Sequence, residues 1–175
     1  MLESKLPAVG TTIFSHMSAL ASECGALNLS QGFPDFPAPE RLRQALARQA
    51  LEGHNQYAPM AGLPALREAI AGQLAHHRGV VCDADTEITV LPGATEAIYC
   101  AITACVSAGD EVILLDPCYD SYRPAVLLAG GVPVHVPLDP VTFMPNWARI
   151  EAAISRRTRM LVINSPHNPT GAALA

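Results

Sequence analysis

Apolar residues recur along the chain at two different spacings, and together these spacings predict alternating helices and strands. Residues 39–52 and 63–78 place apolar side chains three or four positions apart, and the stretches stop at Gly53 and Gly79. Beyond Gly79, short apolar runs are separated by stretches with helical spacing. The runs are Ile88–Leu91, Val112–Leu115, Val132–Val136 and Met160–Ile163, and the helices are expected near residues 95–108, 120–129 and 146–155.

Strands that alternate with crossover helices predict an α/β fold, in which a mostly parallel sheet is covered by helices on both faces. Pro124 should lie in the first turn of its helix, and Asn146 should cap the helix that follows it. Residues 1–45 contain the Pro- and Gly-rich stretch SQGFPDFPAP. We therefore expect residues 1–45 to form an N-terminal arm and part of a smaller domain, and residues 46–175 to form a larger domain.

Composition and charge exclude several classes of protein. Half of the residues are hydrophobic and 15% are charged, which suits a folded core and not a disordered chain. The net charge of -5, without any block of Lys or Arg, argues against a nucleic-acid partner. No apolar run is long enough for a membrane span, and residues 1–20 lack a secretory signal. The five cysteines form no CxxC pair, so we expect reduced thiols, no bound metal and a cytoplasmic location.

The residues that follow the apolar runs are the candidates for chemistry, because ligands bind at the carboxyl ends of parallel strands. Gly93, Ala94 and Thr95 lie at a strand-to-helix turn that suits an anion, although helix capping explains Thr95 equally well. Tyr119 could cover a flat ligand, although packing beneath a loop is the simpler explanation of the ring taken alone. Asn168 lies in the loop NSPHNPTG, which two X-Pro bonds stiffen, and its amide can donate a hydrogen bond to a phenolate oxygen.

Four longer segments accompany these turns and give the chain a family resemblance. They are TTIFSHMSALA at 11–21, LSQGFPDF at 29–36, NQYAPMAGLPALREAI at 55–70 and DPCYDSY at 116–122. With HNPTG at 167–171, they resemble the class I/II aminotransferases of pyridoxal-phosphate (PLP) fold type I, most closely the methionine, kynurenine and glutamine transaminases. The resemblance implies that residues 46–175 are an incomplete PLP-binding large domain, which residues 1–45 precede.

The resemblance also implies a role for each matching residue. Gly93, Ala94 and Thr95 would bind the phosphate of the cofactor, and Tyr119 would stack on its pyridine ring. Asn168 would donate to the 3′-oxygen of PLP and help to bind the substrate carboxylate. Gly32 would donate its N–H to that carboxylate, and Tyr57 would reach the cofactor of a neighbouring subunit in a homodimer. The peptide bonds Asp116–Pro117 and Asn168–Pro169 would be cis.

The reaction that the resemblance implies is transamination of an apolar or aromatic amino acid, with a 2-oxo acid as acceptor. In the family, the lysine that binds PLP covalently follows HNPTG, as do the carboxylate at the pyridine nitrogen and the arginine that binds substrate. The only lysine in this sequence is Lys5, in the N-terminal arm. We therefore expect no catalytic residue in the 175-residue chain and no turnover by the chain alone.

Three alternatives remain open at this point. A PLP-dependent β-lyase acting on cysteine conjugates would use the same cofactor residues. A non-catalytic truncated fragment would bind PLP weakly or bind only a partner subunit. A nucleotide-binding doubly wound domain fits less well, because the sequence lacks a glycine fingerprint and the acidic residue expected about twenty positions later.

Overall fold

The structure, a computed structural model, describes residues 3–32 and 34–174 and contains six α-helices and three β-strands within them. The helices are α1 (Ile13–Glu23), α2 (Glu40–Leu51), α3 (Pro64–Arg78), α4 (Ala94–Cys105), α5 (Tyr122–Leu128) and α6 (Trp147–Ala153). The strands are β1 (Glu111–Asp116), β2 (Val132–Pro137) and β3 (Thr158–Val162). None of these helices has the length and apolarity that a bilayer crossing requires.

The three strands form one parallel sheet in the order β2-β1-β3. Alternate residues of β1 face opposite sides of the sheet. Val112 and Leu114 pack with residues of α4 and α5, whereas Ile113 and Leu115 pack with Ile150 of α6. Helices therefore cover both faces of a parallel sheet, and the predicted three-layer α/β fold is confirmed.

The ends of the predicted helices follow from local chemistry. The side chain of Asn146 accepts a hydrogen bond from the backbone N–H of Arg149, so Asn146 caps α6 as predicted. Pro124 lies in the first turn of α5, where a missing N–H leaves no intrahelical bond unmade. Gly79 ends α3 in the left-handed conformation, with φ of 66°, that glycine adopts without strain.

The prediction of a strand at Ile88–Leu91 is wrong. A strand needs a hydrogen-bonded neighbour along its length. The backbone N–H of Val90 bonds instead to the carbonyl of Ala61, and the sheet within the described residues has only three strands. Helix α1, whose residues were singled out in the sequence only as a family motif, begins at Ile13 after Thr12 caps it.

The chain divides into two compact units, Met1–Val9 with Leu91–Ala175, and Gly10–Val90. This division falls at a different point from the domain boundary predicted at residue 45. The predicted boundary stays a prediction. In the Gly10–Val90 unit, the buried guanidinium of Arg67 donates to the carbonyls of Gly62 and Ala84 and pairs with Asp85.

Candidate cofactor site

The carboxyl ends of β1 and β3 lie at the same edge of the sheet, because these strands pair in parallel. The turn Asp116–Tyr119 follows β1, and the loop that contains Asn168 follows β3. The structure therefore places two of the predicted site segments at the edge where the carboxyl-end rule locates ligands. A third segment, the start of α4, reaches the same edge through a contact between Thr95 and Tyr119.

The start of α4 is an open helix end. Gly93 precedes the helix with φ of 96° and ψ of 164°, and no side chain caps the first turn. The first backbone N–H groups of a helix have no partners within it, and together with the helix dipole they attract anions. No atom lies within 4 Å of the position that a Cβ on Gly93 would occupy, so a ligand has room to approach these groups.

The hydroxyl of Thr95 lies 3.0 Å from the hydroxyl of Tyr119. Because either atom can be the donor, this contact orients both groups and leaves each of them able to bind a further partner. Thr95 is the second residue of α4 and not its cap, so the alternative that Thr95 is simply a helix cap does not hold. The contact brings the start of α4 and the turn after β1 together.

The ring of Tyr119 is held on one side by Tyr122. The two ring centroids are 5.7 Å apart and the rings meet edge to face, at 79°. Tyr122 is buried in the core beside α4 and β1, and burial, followed by the neighbouring Cys118 and Tyr119, raises the pKa of its phenol. Tyr119 is only half-buried, so packing against the core and covering a ligand are compatible roles for its ring.

Asp116, the last residue of β1, connects this turn to β2. Its Oδ2 lies 2.8 Å from Nδ1 of His135. Burial first, and then the hydrogen bond and charge of Asp116, raise the pKa of the Cys118 thiol to about 12. At neutral pH Cys118 is therefore a protonated thiol and not a nucleophile.

The loop after β3 is stabilised by hydrogen bonds within it. The backbone N–H of Asn168 donates to Oδ1 of Asn164 at 2.6 Å, and Nδ1 of His167 lies 2.8 Å from the hydroxyl of Thr170. His167 thus supports the loop, and the side chain of Asn168 is exposed. Asp116–Pro117 and Asn168–Pro169 are cis as predicted, and Ser165–Pro166 is a third cis bond that was not predicted.

Gly32 and Tyr57 belong to the Gly10–Val90 unit, so their predicted roles at the cofactor stay predictions. Tyr57 is fully exposed. Gly32 has no atom within 4 Å of the position of an added Cβ. Phe33, in the same motif as Gly32, and Ala175, the last residue of the chain, lie outside the described residues.

The donor set at the sheet edge fits a flat, phosphorylated ring. The first N–H groups of α4 and the hydroxyl of Thr95 suit a phosphate, and the half-exposed ring of Tyr119 suits an aromatic face. The neutral amide of Asn168 suits a phenolate oxygen. The described residues contain no cluster of His, Cys, Asp and Glu that could bind a metal ion, and all five cysteines are free thiols.

Sequence reasoning missed the Asp116–His135 pair and the contact between the two hydroxyls. The pair was foreseeable only with the strand register, which aligns His135 with Leu114 and places His135 beside Asp116. The contact between Thr95 and Tyr119 joins residues 24 positions apart and depends on how α4 packs. The alternation of apolar residues in β2 was the one available signal that His135 shares a face with Asp116.

A protein-family model described as aminotransferase class I and II matches residues 25–175. The methionine aminotransferase of Escherichia coli is 54% identical over 168 residues, which cover 96% of this chain and 44% of that protein. A probable N-succinyldiaminopimelate aminotransferase of Mycobacterium tuberculosis is 48% identical, over 100% of this chain and 45% of that protein. The chain thus spans less than half the length of these relatives.

The solved structures that are similar to this chain include aminotransferases as well. A crystal structure of YbdL from Escherichia coli, described as having a methionine aminotransferase function, matches with a TM-score of 0.95 and 52% identity, over 100% of this chain and 46% of that one. Aspartate aminotransferase from Thermus thermophilus with maleate matches with a TM-score of 0.90 and 37% identity, over 99% of this chain and 47% of that one.

Proposed function

The chain belongs to the aminotransferase class I and II family, and on this basis we propose that the complete protein transfers the amino group of methionine, or of a similar apolar amino acid, to a 2-oxo acid. Members of the family use pyridoxal phosphate. The identity of 54% to a methionine aminotransferase supports methionine as the first amino donor to test. The observation that supports the chemistry is the contact of the Thr95 and Tyr119 hydroxyls at the open end of α4.

Binding of the phosphate is the first task of this chain's residues. The backbone N–H groups of Ala94 and Thr95 would donate to the phosphate oxygens, and the Thr95 hydroxyl would add a donor. The N–H of Gly93 bonds to the carbonyl of Leu91, so Gly93 would contribute the open space that lets the phosphate approach. Glycine at position 93 permits the backbone conformation at this turn, where φ is 96°. We further propose that Tyr57 of a second subunit donates to the same phosphate in a homodimer.

Orientation of the ring is the second task. Tyr119 would stack on one face of the pyridine ring, and the amide of Asn168 would donate to the 3′-oxygen and so stabilise its phenolate form. When bound, pyridoxal phosphate supplies a conjugated ring that stabilises negative charge at the Cα of the amino acid. The N–H of Gly32 and the amide of Asn168 would bind the substrate carboxylate.

The 175-residue segment by itself is proposed to be inactive. Its single lysine, Lys5, is an exposed residue of the N-terminal segment. A transaminase of this kind needs a lysine amine at the cofactor to move the proton. Incubation of the segment with pyridoxal phosphate, methionine and a 2-oxo acid should give no amino acid product, and sustained turnover would contradict this proposal.

The decisive experiment uses the complete protein, prepared without cofactor and then reconstituted with pyridoxal phosphate. Methionine, kynurenine, aspartate and N-succinyldiaminopimelate are compared as amino donors with one 2-oxo acid acceptor, and kcat/KM is measured for each. Methionine is expected to exceed aspartate by about tenfold or more, since burying an apolar side chain contributes about 1.5–3 kcal/mol. A preference for aspartate, or no uptake of the cofactor, would contradict the proposal.

N-Succinyldiaminopimelate is the second candidate donor, because a probable aminotransferase for it is 48% identical over the whole chain. A donor with additional carboxylates needs cationic partners in the complete active site, so its rate should fall as salt concentration rises. The rate with methionine should depend less on salt. A β-lyase would instead release pyruvate and ammonia from a cysteine conjugate in the absence of any 2-oxo acid.

A further inference from the structure

We propose that His135 is a positioning residue for the cofactor site: through Asp116, it holds the turn from which Tyr119 projects. His135 would not touch the cofactor. This inference rests on the proposed function, because Tyr119 has a ring to orient only if the site binds a flat cofactor.

The first contact is between two neighbouring strands. The register of the sheet aligns His135 of β2 with Leu114 of β1, and Asp116 lies two residues beyond Leu114 on the same face. Nδ1 of His135 and Oδ2 of Asp116 are 2.8 Å apart, and the two side chains are 36% and 38% exposed. The backbone N–H of Leu138 donates to the carbonyl of Asp116, and the pair adds a side-chain contact between β1 and β2 at the edge of the sheet where the site lies.

The second contact is within the turn itself. Asp116 also faces the half-buried thiol of Cys118, which packs against the core beside α4 and α5. Since Cys118 remains protonated at neutral pH, its S–H is a donor and the carboxylate of Asp116 is the acceptor that the turn offers it. Asp116 thus contacts His135 on one side and accepts from the Cys118 thiol of the turn on the other.

Tyr119 follows Cys118 in the chain, and two contacts hold its ring. Tyr122 meets it edge to face, and the hydroxyl of Thr95 lies 3.0 Å from its own hydroxyl. In the backbone that carries the ring, the carbonyl of Tyr119 accepts from the N–H of Tyr122, and the side chain of Asp116 adds an anchor that depends on His135. A change at His135 should therefore tilt or loosen the ring without removing any group that the cofactor touches.

The opposite end of β1 offers a matched control. There Glu111 accepts hydrogen bonds from Ser155 and Arg157, which fixes the strand to the segment before β3. Like the His135 contact, the ion pair of Glu111 and Arg157 connects β1 to a neighbouring part of the sheet, but it lies at the amino end of the strand, away from the site. Loss of either pair should lower the stability of the fold, whereas only loss of the His135 pair should change the affinity and the circular dichroism of the bound cofactor.

The test compares three variants of the complete protein: His135→Val, His135→Asn and Arg157→Gln. Valine suits a strand and lacks the donor, whereas the amide nitrogen of asparagine falls near the position of Nδ1. For each variant, the dissociation constant of pyridoxal phosphate is measured by titrating the cofactor-free protein, the visible circular dichroism of bound cofactor is recorded, and thermal unfolding gives the stability.

His135→Val is expected to raise the dissociation constant about threefold and to reduce the circular dichroism of the cofactor, because a contact between two part-exposed side chains contributes modestly. His135→Asn should restore both to within about a factor of two of the wild type. Arg157→Gln should lower the unfolding temperature and leave both cofactor measurements unchanged. If His135→Val folds poorly, His135→Gln takes its place, since its donor lies too far along the side chain.

Two results would overturn the proposal: a His135→Val protein with wild-type affinity and circular dichroism, or equal changes in Arg157→Gln at the same loss of stability. Failure of His135→Asn to restore the cofactor signal would also count against it. A wild-type protein that takes up no pyridoxal phosphate would overturn the proposed function and this inference together, which is a different result from an unchanged His135→Val protein.

Discussion

Arg67 is a charged side chain that the fold keeps out of water, at 7% exposure. It donates to the carbonyls of Gly62 and Ala84 and pairs with the exposed carboxylate of Asp85 at 3.2 Å. The stabilisation comes mainly from the two carbonyls, because the ion pair reaches solvent on one side. Arg67 therefore connects the start of α3 to the segment around residue 85 and stabilises the fold there.

Replacement of Arg67 by Met should lower the free energy of unfolding by about 2 kcal/mol, because two carbonyls lose a charged donor. Asp85→Asn is the matched control and should cost less than about 1 kcal/mol, since it weakens only the exposed ion pair. Urea unfolding of the complete protein measures both changes. Equal losses in the two variants would show that the ion pair, and not the carbonyl bonds, stabilises this segment.

Two substitutions of Tyr119 distinguish the contribution of its ring to cofactor affinity from the contribution of its hydroxyl. Tyr119→Phe keeps the ring and loses the contact with Thr95, so we expect pyridoxal phosphate to bind about threefold more weakly. Tyr119→Ala should weaken binding by roughly tenfold or more, on the order of the loss of an aromatic contact. Cofactor titration measures both, with Tyr99→Phe on the exposed side of α4 as the control. Tyr119→Ala with wild-type affinity would exclude stacking.

Among the elements, α4 depends most on one backbone conformation. Gly93→Ala should destabilise the protein by about 1–3 kcal/mol, because φ of 96° strains a residue with a Cβ. It should also weaken phosphate binding. Gly72→Ala, inside α3 with open space around it, is the control and should stabilise the helix by about 0.5–1 kcal/mol. Unfolding midpoints and cofactor titration would reveal the difference, and equal effects would contradict it.

The amino end of β1 should make the stability depend on pH. Hydrogen bonds from Ser155, and then from Arg157, hold the pKa of Glu111 below its ordinary value of 4.5. A carboxylate whose pKa is lower in the folded state stabilises the fold above the unfolded pKa, and this stabilisation is lost as pH falls through the folded pKa. Unfolding followed between about pH 7 and pH 3 should show a smaller loss in Glu111→Gln than in the wild type, with exposed Glu151→Gln as the control. An equal loss in Glu111→Gln and the wild type would contradict this.

The elements also show how far the sequence predicts the structure. Helices α2 and α3 and all three strands begin and end within two residues of their predicted positions, because periodicity and caps are local signals. Ile88–Leu91 has a strand's composition, but strand formation depends on a neighbour that composition does not reveal. The same limit applies to the site. The carboxyl-end rule selected Tyr119 after a strand that forms and Thr95 after the run Ile88–Leu91, which forms no strand. The contact between Thr95 and Tyr119 and the pairing of His135 with Asp116 needed packing and register.

For the whole molecule, exposed apolar side chains predict self-association of the 175-residue chain. Leu42, Leu46 and Leu51 of α2 are 63%, 72% and 89% exposed, and Leu27 and Leu29 are 82% and 83% exposed. Apolar surfaces of this kind mark contacts with other chains or other parts of a protein. Size-exclusion chromatography with light scattering should find species heavier than 18.5 kDa. A monodisperse monomer would contradict this, and the complete protein serves as the reference.

The strand order β2-β1-β3 has a consequence for how the sheet assembles. Glu111 pairs with Val132, 21 positions later, and with Thr158, 47 positions later. The entropy of closing the longer loop is larger by about 0.7 kcal/mol, because this cost grows with the logarithm of length. We expect β1, α5 and β2 to form the folding nucleus and β3 to join afterwards. Asp116 and His135 would then meet early, before the loop that contains Asn168 reaches its place.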